Sequence, residues 1–214
     1  ALSIATGTPW FGRQVNLTGP VLYVAAEGQG RIWTDAQAWC DHHKIDPADL
    51  RGAFFIYDRS ARLNTEDGME RLGQVWQAIA ARTGQSPLYC VFDTLRRNMR
   101  GGVSDEKDAA AVLEAVELLQ QGGTAATLIA HHGKSGDDTK GVTEWQDKAD
   151  QVRLYTGRVQ DRSTFLQFSK IKSAIDGFGT PIRFEQVHKT LVATATIPTA
   201  DATLAADPQK RSLP

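Results

Sequence analysis

Cysteine is scarce in this chain. Only Cys40 and Cys90 occur, too few and too far apart for a disulfide framework, and Cys90 lies within an apolar run. Both read as reduced thiols, and the compartment as cytoplasmic. Long apolar runs are missing too: none approaches the ~20 residues that span a bilayer, and no charged segment followed by an apolar one opens the chain. A membrane partner is therefore not expected. Neither sign of charge is in excess, with 24 Lys+Arg against 25 Asp+Glu and a formal net charge of −1. An acidic partner such as nucleic acid must then be met by a local patch.

Several catalytic signatures are absent as well. No G-x-S-x-G occurs, which removes the elbow of a Ser/His/Asp hydrolase. Gly28-Gln29-Gly30 lacks the third glycine of a dinucleotide fingerprint. Gly133-Lys134-Ser135 ends like a phosphate loop, but that loop needs a glycine five residues before its GK glycine, and position 128 is Leu128. His131 and His132 could ligate a metal, yet no other His or Cys stands at ligand spacing, and a structural or hydrogen-bonding role is the simpler one.

What is present is an ordinary globular composition, 41% hydrophobic and 23% charged over 214 residues, with apolar runs that each end in a polar residue. Leu88–Arg97, LYCVFDTLRR, has the short Tyr/Val/Phe-rich pattern of a strand buried on both faces, ending at Asp93 and Thr94. Val21–Ala26 is a second such strand, followed by Glu27; Ala53–Tyr57 is a third; Thr124–Ala130 is a fourth, followed by His131. Helical spacing fills the intervals. Arg31–His43 carries Ile32, Ala36, Trp39 and Cys40; a short helix opens at Asp46-Pro47. Met69, Leu72, Val75, Trp76 and Ile79 mark one face of a helix, as do Ala109, Val112, Leu113, Val116 and Leu119 after a cap at Ser104 or Asp105.

Strand–helix alternation predicts an α/β fold, a mostly parallel sheet flanked by helices. From Gln151 the alternating segments Val152–Val159, Thr164–Ser169 and Ile182–Val187 predict antiparallel strands at the C-terminal edge, with a turn at Asp176-Gly177. One core over residues 1–197 and a disordered tail from Pro198 are expected. In a parallel sheet Glu27, Asp93 and His131 would meet on one rim, the usual ligand crevice of open α/β sheets. A carboxylate followed by a hydroxyl there suits Mg²⁺-assisted phosphate chemistry; the other reading is an aspartate that caps the next loop. Arg96–Val103 is a glycine-bearing basic loop with Arg96, Arg97 and Arg100, and Gly133–Gly141 a polar, glycine-rich one with Lys134 and Lys140. The plain reading of Arg96 and Arg97 is pairing with acidic neighbours such as Asp105 and Glu106.

The ordered set VLYVAAEG, VFDTLRR, LIAHHGKSG and FSKIKSAIDGFG resembles the RecA-like hexameric helicase ATPases, most closely the plasmid replicative helicases of the RepA type and the related AAA-type family. The resemblance runs to about Val187. It implies ATP and Mg²⁺ as cofactors, single-stranded DNA as a partner and a homo-oligomer, a hexameric ring. By resemblance Glu27 polarises the attacking water, Asp93, with Thr94 beside it, holds Mg²⁺ through water, and His131 senses the γ-phosphate. The loop after His131 would face the channel and DNA, with DNA affinity in the loops Arg96–Gly102 and Gly133–Gly141 through Arg96, Arg97, Arg100, Lys134 and Lys140, and Lys170 and Lys172 stand where the wider group reaches a neighbouring subunit's nucleotide. The family's phosphate loop would lie ahead of ALSIATGTPWFG, whose Ala1–Gly7 reads as the end of the helix such a loop opens. In its absence nucleotide affinity is expected to be weak. VTEWQDKADQ lacks the R-G-S-S type sequence that the family shows after that loop. The function expected is an ATP-driven motor on single-stranded DNA. The alternatives are a truncated or degenerate RecA-like module that binds DNA or a protein without turnover, and a nucleotide-dependent regulator that does not unwind DNA.

Overall fold

The structure, a computed structural model, describes residues 1–131, 144–156, 162–172 and 179–195. Its contacts divide the chain into two units, Ala1–Lys148 and Ala149–Pro214. No helix among the described residues is long and apolar enough to cross a membrane.

The first unit is built on four parallel strands: β1 (Val21–Ala25), β2 (Phe54–Tyr57), β3 (Tyr89–Asp93) and β4 (Ala125–Ile129), in the order β2-β1-β3-β4. Their apolar runs are continuous because both sheet faces are covered. On one face Leu22, Val24, Cys90 and Phe92 pack against α3 (Glu66–Thr83) and α4 (Glu106–Gln121), through Leu72 and Ile79 of the first and Ala109, Val112 and Ala115 of the second. On the other, Val21, Tyr23, Phe54 and Tyr89 meet α1 (Leu2–Thr6) and α2 (Gln29–His43), through Ala5, Ala36 and Cys40. Both cysteines are free and buried. Phe92 is fully buried at the centre of the larger cluster, and a side chain of that size stabilises by about 1.5–3 kcal/mol on burial.

Local sequence sets the helix ends. Gly7 closes α1 in the left-handed region (φ 78), donating its N–H to the Ser3 carbonyl. Asp46 accepts from the Ala48 N–H to start a 3-10 turn at Pro47–Leu50, and Asp105, not Ser104, caps α4 by accepting from the Asp108 N–H. The Thr65 hydroxyl accepts from the Gly68 N–H at 3.2 Å at the start of α3, with Glu66 and Asp67 in its first turn. Thr65→Ala should cost about 1 kcal/mol, which thermal unfolding would show as a midpoint lowered by about 2–4 °C.

Chain order and strand order reverse between β1 and β3. From β1 the chain steps outward to β2, then crosses back over β1 to β3 and on to β4. Carboxyl ends of adjacent strands on either side of such a reversal form a crevice that no crossover helix covers. Ala25 is level with Asp93, and Asp93 with Ile129, so the residues just beyond these three strands stand side by side on one rim.

The second unit is an antiparallel sheet of β5 (Gln151–Thr156), β6 (Ser163–Ile171), β7 (Gly179–Val187) and β8 (Thr190–Ala195), in sequence order. A register shift falls between Val152 and Arg153. The expected antiparallel strands are present, and among the described residues they hydrogen-bond to one another as a sheet of their own. The strand β8 and the short helix α5 (Glu144–Lys148) were not expected. Within α5 the buried Trp145 donates its indole N–H to the Val103 carbonyl at 2.9 Å. The Asp176-Gly177 turn and the tail from Pro198 lie outside the described residues.

Candidate functional site

At the end of β3 the Asp93 carboxylate accepts a hydrogen bond from the Tyr23 hydroxyl, at 2.6 Å to Oδ2. Among the described residues its Oδ1 has no protein partner. The next side chain, Thr94, is buried and donates its hydroxyl to Glu27 Oε1 at 2.8 Å. The same oxygen lies 3.3 Å from Nε of Arg97, an ion pair half open to solvent. The Ala26 N–H donates to the Asp93 carbonyl at 2.9 Å, which ties the two strand ends together just before Glu27. The carboxylates just past β1 and at the end of β3 thus stand on one rim, each accepting from a hydroxyl.

The turn after Asp93 is rigidly supported. Leu95–Arg97 forms a single 3-10 turn, and Asn98, fully buried, braces it. Its Nδ2 donates to the Thr94 carbonyl at 3.0 Å, its Oδ1 accepts from the Ala61 N–H at 3.0 Å, and its own carbonyl accepts from the Leu63 N–H at 2.8 Å. Further along, Asn64 binds the Arg100 backbone both ways, at 2.7 and 2.9 Å, and donates to Asp108 at 3.0 Å. Asp108 also accepts from the Gly102 N–H at 3.2 Å. Gly101 has φ 79, and a Cβ there would meet the Asp108 carboxylate, so any other residue would be strained and would displace that side chain. These braces leave Arg96, Arg97 and Arg100 exposed on a fixed loop.

His131 lies just past β4 on the same rim and is exposed. Among the described residues the carboxylate partner of Arg97 is Glu27; the sequence neighbours Asp105 and Glu106 do not fill that role. Lys134, Lys140 and the rest of the Gly133–Gly141 loop lie outside the described residues. Lys170, on β6, and Lys172, just after it, belong to the second unit, where Lys172 pairs with Asp150 at 2.8 Å. Sequence reasoning did not find Tyr23, Asn98, Asn64 or Asp108. The one available signal was a polar group inside an apolar run, the Tyr23 hydroxyl in VLYVA.

The donor set bears on which metal could be held. Among the described residues no group of three or more His, Cys, Asp or Glu side chains could cage an ion. One carboxylate with a free oxygen is what Mg²⁺ uses when it keeps most of its waters and takes its other ligands from a bound phosphate. The residues present fit Mg²⁺ of that kind, and Asp93 is the side chain that would hold it.

Comparison with known proteins agrees with this fold. No curated protein matches the chain. Among solved structures it is similar to one described as the crystal structure of the RadB recombinase, at 10% identity and a TM-score of 0.56, over 77% of this chain and 75% of that one. At that identity the likeness is one of fold, and the fold is RecA-like. A family model described as "AAA domain" matches residues 1–137, a stretch that includes Glu27, Asp93, Thr94 and His131. The chain therefore belongs to the AAA domain family and has a RecA-like ATPase fold, an ATPase-type nucleotide-binding module.

Proposed function

We propose that the protein is an ATP-dependent motor of the replicative DNA helicase type, coupling ATP hydrolysis to movement along single-stranded DNA as a homo-oligomeric, hexameric ring. The observation that carries this reading is the rim at the strand-order reversal, where Thr94 and Arg97, directly after Asp93, bind Glu27 and a braced basic loop continues from them. Glu27 serves as the general base: Thr94 and Arg97 hold Oε1, which orients the carboxylate and leaves Oε2 to take the proton of an attacking water. Mg²⁺, when bound at Asp93, neutralises the charge of the phosphates. His131 stands on the same rim to meet the terminal phosphate. In this reading Lys170 and Lys172 reach the nucleotide of a neighbouring subunit.

Arg96 and Arg100, with Lys134 and Lys140, would contact DNA phosphates, and Arg97 links that surface to the base. Each phosphate contact releases counterions, so Arg100→Ala should lower the slope of log affinity against log salt by about 0.7 for single strands. An unaltered slope would show that this loop does not touch DNA. The functional test is ATP hydrolysis with and without single-stranded DNA, together with strand separation. DNA-stimulated hydrolysis with unwinding supports the motor. Stimulated hydrolysis without unwinding means a regulator, and DNA binding with no hydrolysis means a RecA-like module that acts without turnover.

A further inference from the structure

We propose that Tyr23 is a positioning residue for Asp93: its phenol fixes one carboxylate oxygen, Oδ2, so that the other is held ready for a hydrated divalent cation. This rests on the reading of Asp93 as the residue that holds Mg²⁺. Tyr23 lies on β1 level with Val91, two positions before Asp93 on the neighbouring strand. Side chains two apart on adjacent strands share a face, and an aromatic side chain is long enough to span that diagonal.

The hydroxyl is not needed for packing. The Tyr23 ring packs near Phe54, with centroids 6.2 Å apart, beneath α2, and phenylalanine would serve there equally. A half-buried hydroxyl costs stability unless it is paired, and its partner is the Asp93 carboxylate at 2.6 Å, within the short range of charge-assisted O–H···O⁻ bonds. Burial first, and the bond to Asp93 second, push the phenol pKa far above its ordinary value, with Asp35 adding to the effect. Tyr89, on the same sheet face, makes a useful contrast: its hydroxyl is paired with Thr127 Oγ1 at 2.6 Å and serves no carboxylate. Donors behind a metal-holding carboxylate typically account for 10–100-fold in metal affinity.

The test uses Mn²⁺ as the probe, a cation with the same preference for oxygen donors, titrated into the 214-residue chain while paramagnetic broadening of the Asp93 and Thr94 amide signals is followed. Tyr23→Phe should weaken Mn²⁺ binding about tenfold, with a melting temperature within a few degrees of the unsubstituted protein. Tyr89→Phe should leave the affinity unchanged, and Asp93→Asn should abolish the broadening. Equal affinity in Tyr23→Phe and the unsubstituted protein, with broadening still centred on Asp93, would overturn the positioning role and leave the Asp93 reading intact. No broadening near Asp93 at millimolar Mn²⁺ in the unsubstituted protein would overturn both.

Discussion

Glu27→Gln, measured in a form that turns over ATP, is expected to lose about 10²–10⁴-fold in ATP turnover while nucleotide affinity stays nearly the same. Glutamine keeps an acceptor for the Thr94 hydroxyl and the shape of the side chain, but it cannot take a proton from water. It also loses the ion pair with Arg97, yet that pair is largely exposed, at 64% and 41% of the two side chains, and exposed pairs contribute little to stability. The melting temperature should therefore not move, which separates a chemical loss from a folding defect. Asp93→Asn should behave differently, weakening the Mg²⁺-dependent part of nucleotide binding. Steady-state hydrolysis and calorimetric titration of both variants distinguish the roles. Unchanged hydrolysis in Glu27→Gln would place the base elsewhere.

The largest stability effect is expected at Asn98. Asn98→Ala removes the acceptor of the buried Ala61 N–H and a donor to the Thr94 carbonyl. That carbonyl keeps the N–H groups of Arg97 and Asn98 as donors, so the main orphan is Ala61. One unsatisfied buried group costs about 1–3 kcal/mol, and the lost bond and emptied volume bring the total to about 2–4 kcal/mol. Against a total stability of about 5–15 kcal/mol this is large, and the thermal midpoint should fall by about 5–15 °C. The same substitution frees the turn that carries Thr94, so the Thr94–Glu27 bond should weaken with it. A loss below about 0.5 kcal/mol would mean that other groups satisfy Ala61.

The rim could be read from the chain before its folding was known because buried parallel strands are short apolar runs and their polar ends stand out. Glu27, Asp93 and His131 each interrupt such a run, and strand–helix alternation places their carboxyl ends on one side. The end of α1 was equally plain at Gly7, whereas the start of α4 was open between Ser104 and Asp105 until the Asp108 N–H was seen to bond Asp105. The partners of those rim residues were not visible. Tyr23 and Asp93 are 70 residues apart in sequence, and nothing local marks a tyrosine in an apolar strand as a donor to a carboxylate on the next one. Arg97 was weighed against its sequence neighbours, Asp105 and Glu106, but strand pairing brings Glu27 to it instead. The strand β8 was missed because its hairpin turn carries His188 at φ 54 and Lys189, where glycine or asparagine would have signalled the positive φ. The alternation of β5–β7 announced antiparallel strands; which sheet they join depends on pairing partners that periodicity does not encode.

We propose that the nucleotide binds at the carboxyl ends of β1 and β3; hydrogen exchange with and without Mg-ATP, in a form that binds the nucleotide, is the direct check. Protection is expected at Ala26–Gln29 and Thr94–Asn98, lost in Asp93→Asn. Nucleotide-dependent protection that leaves both segments unchanged would contradict it.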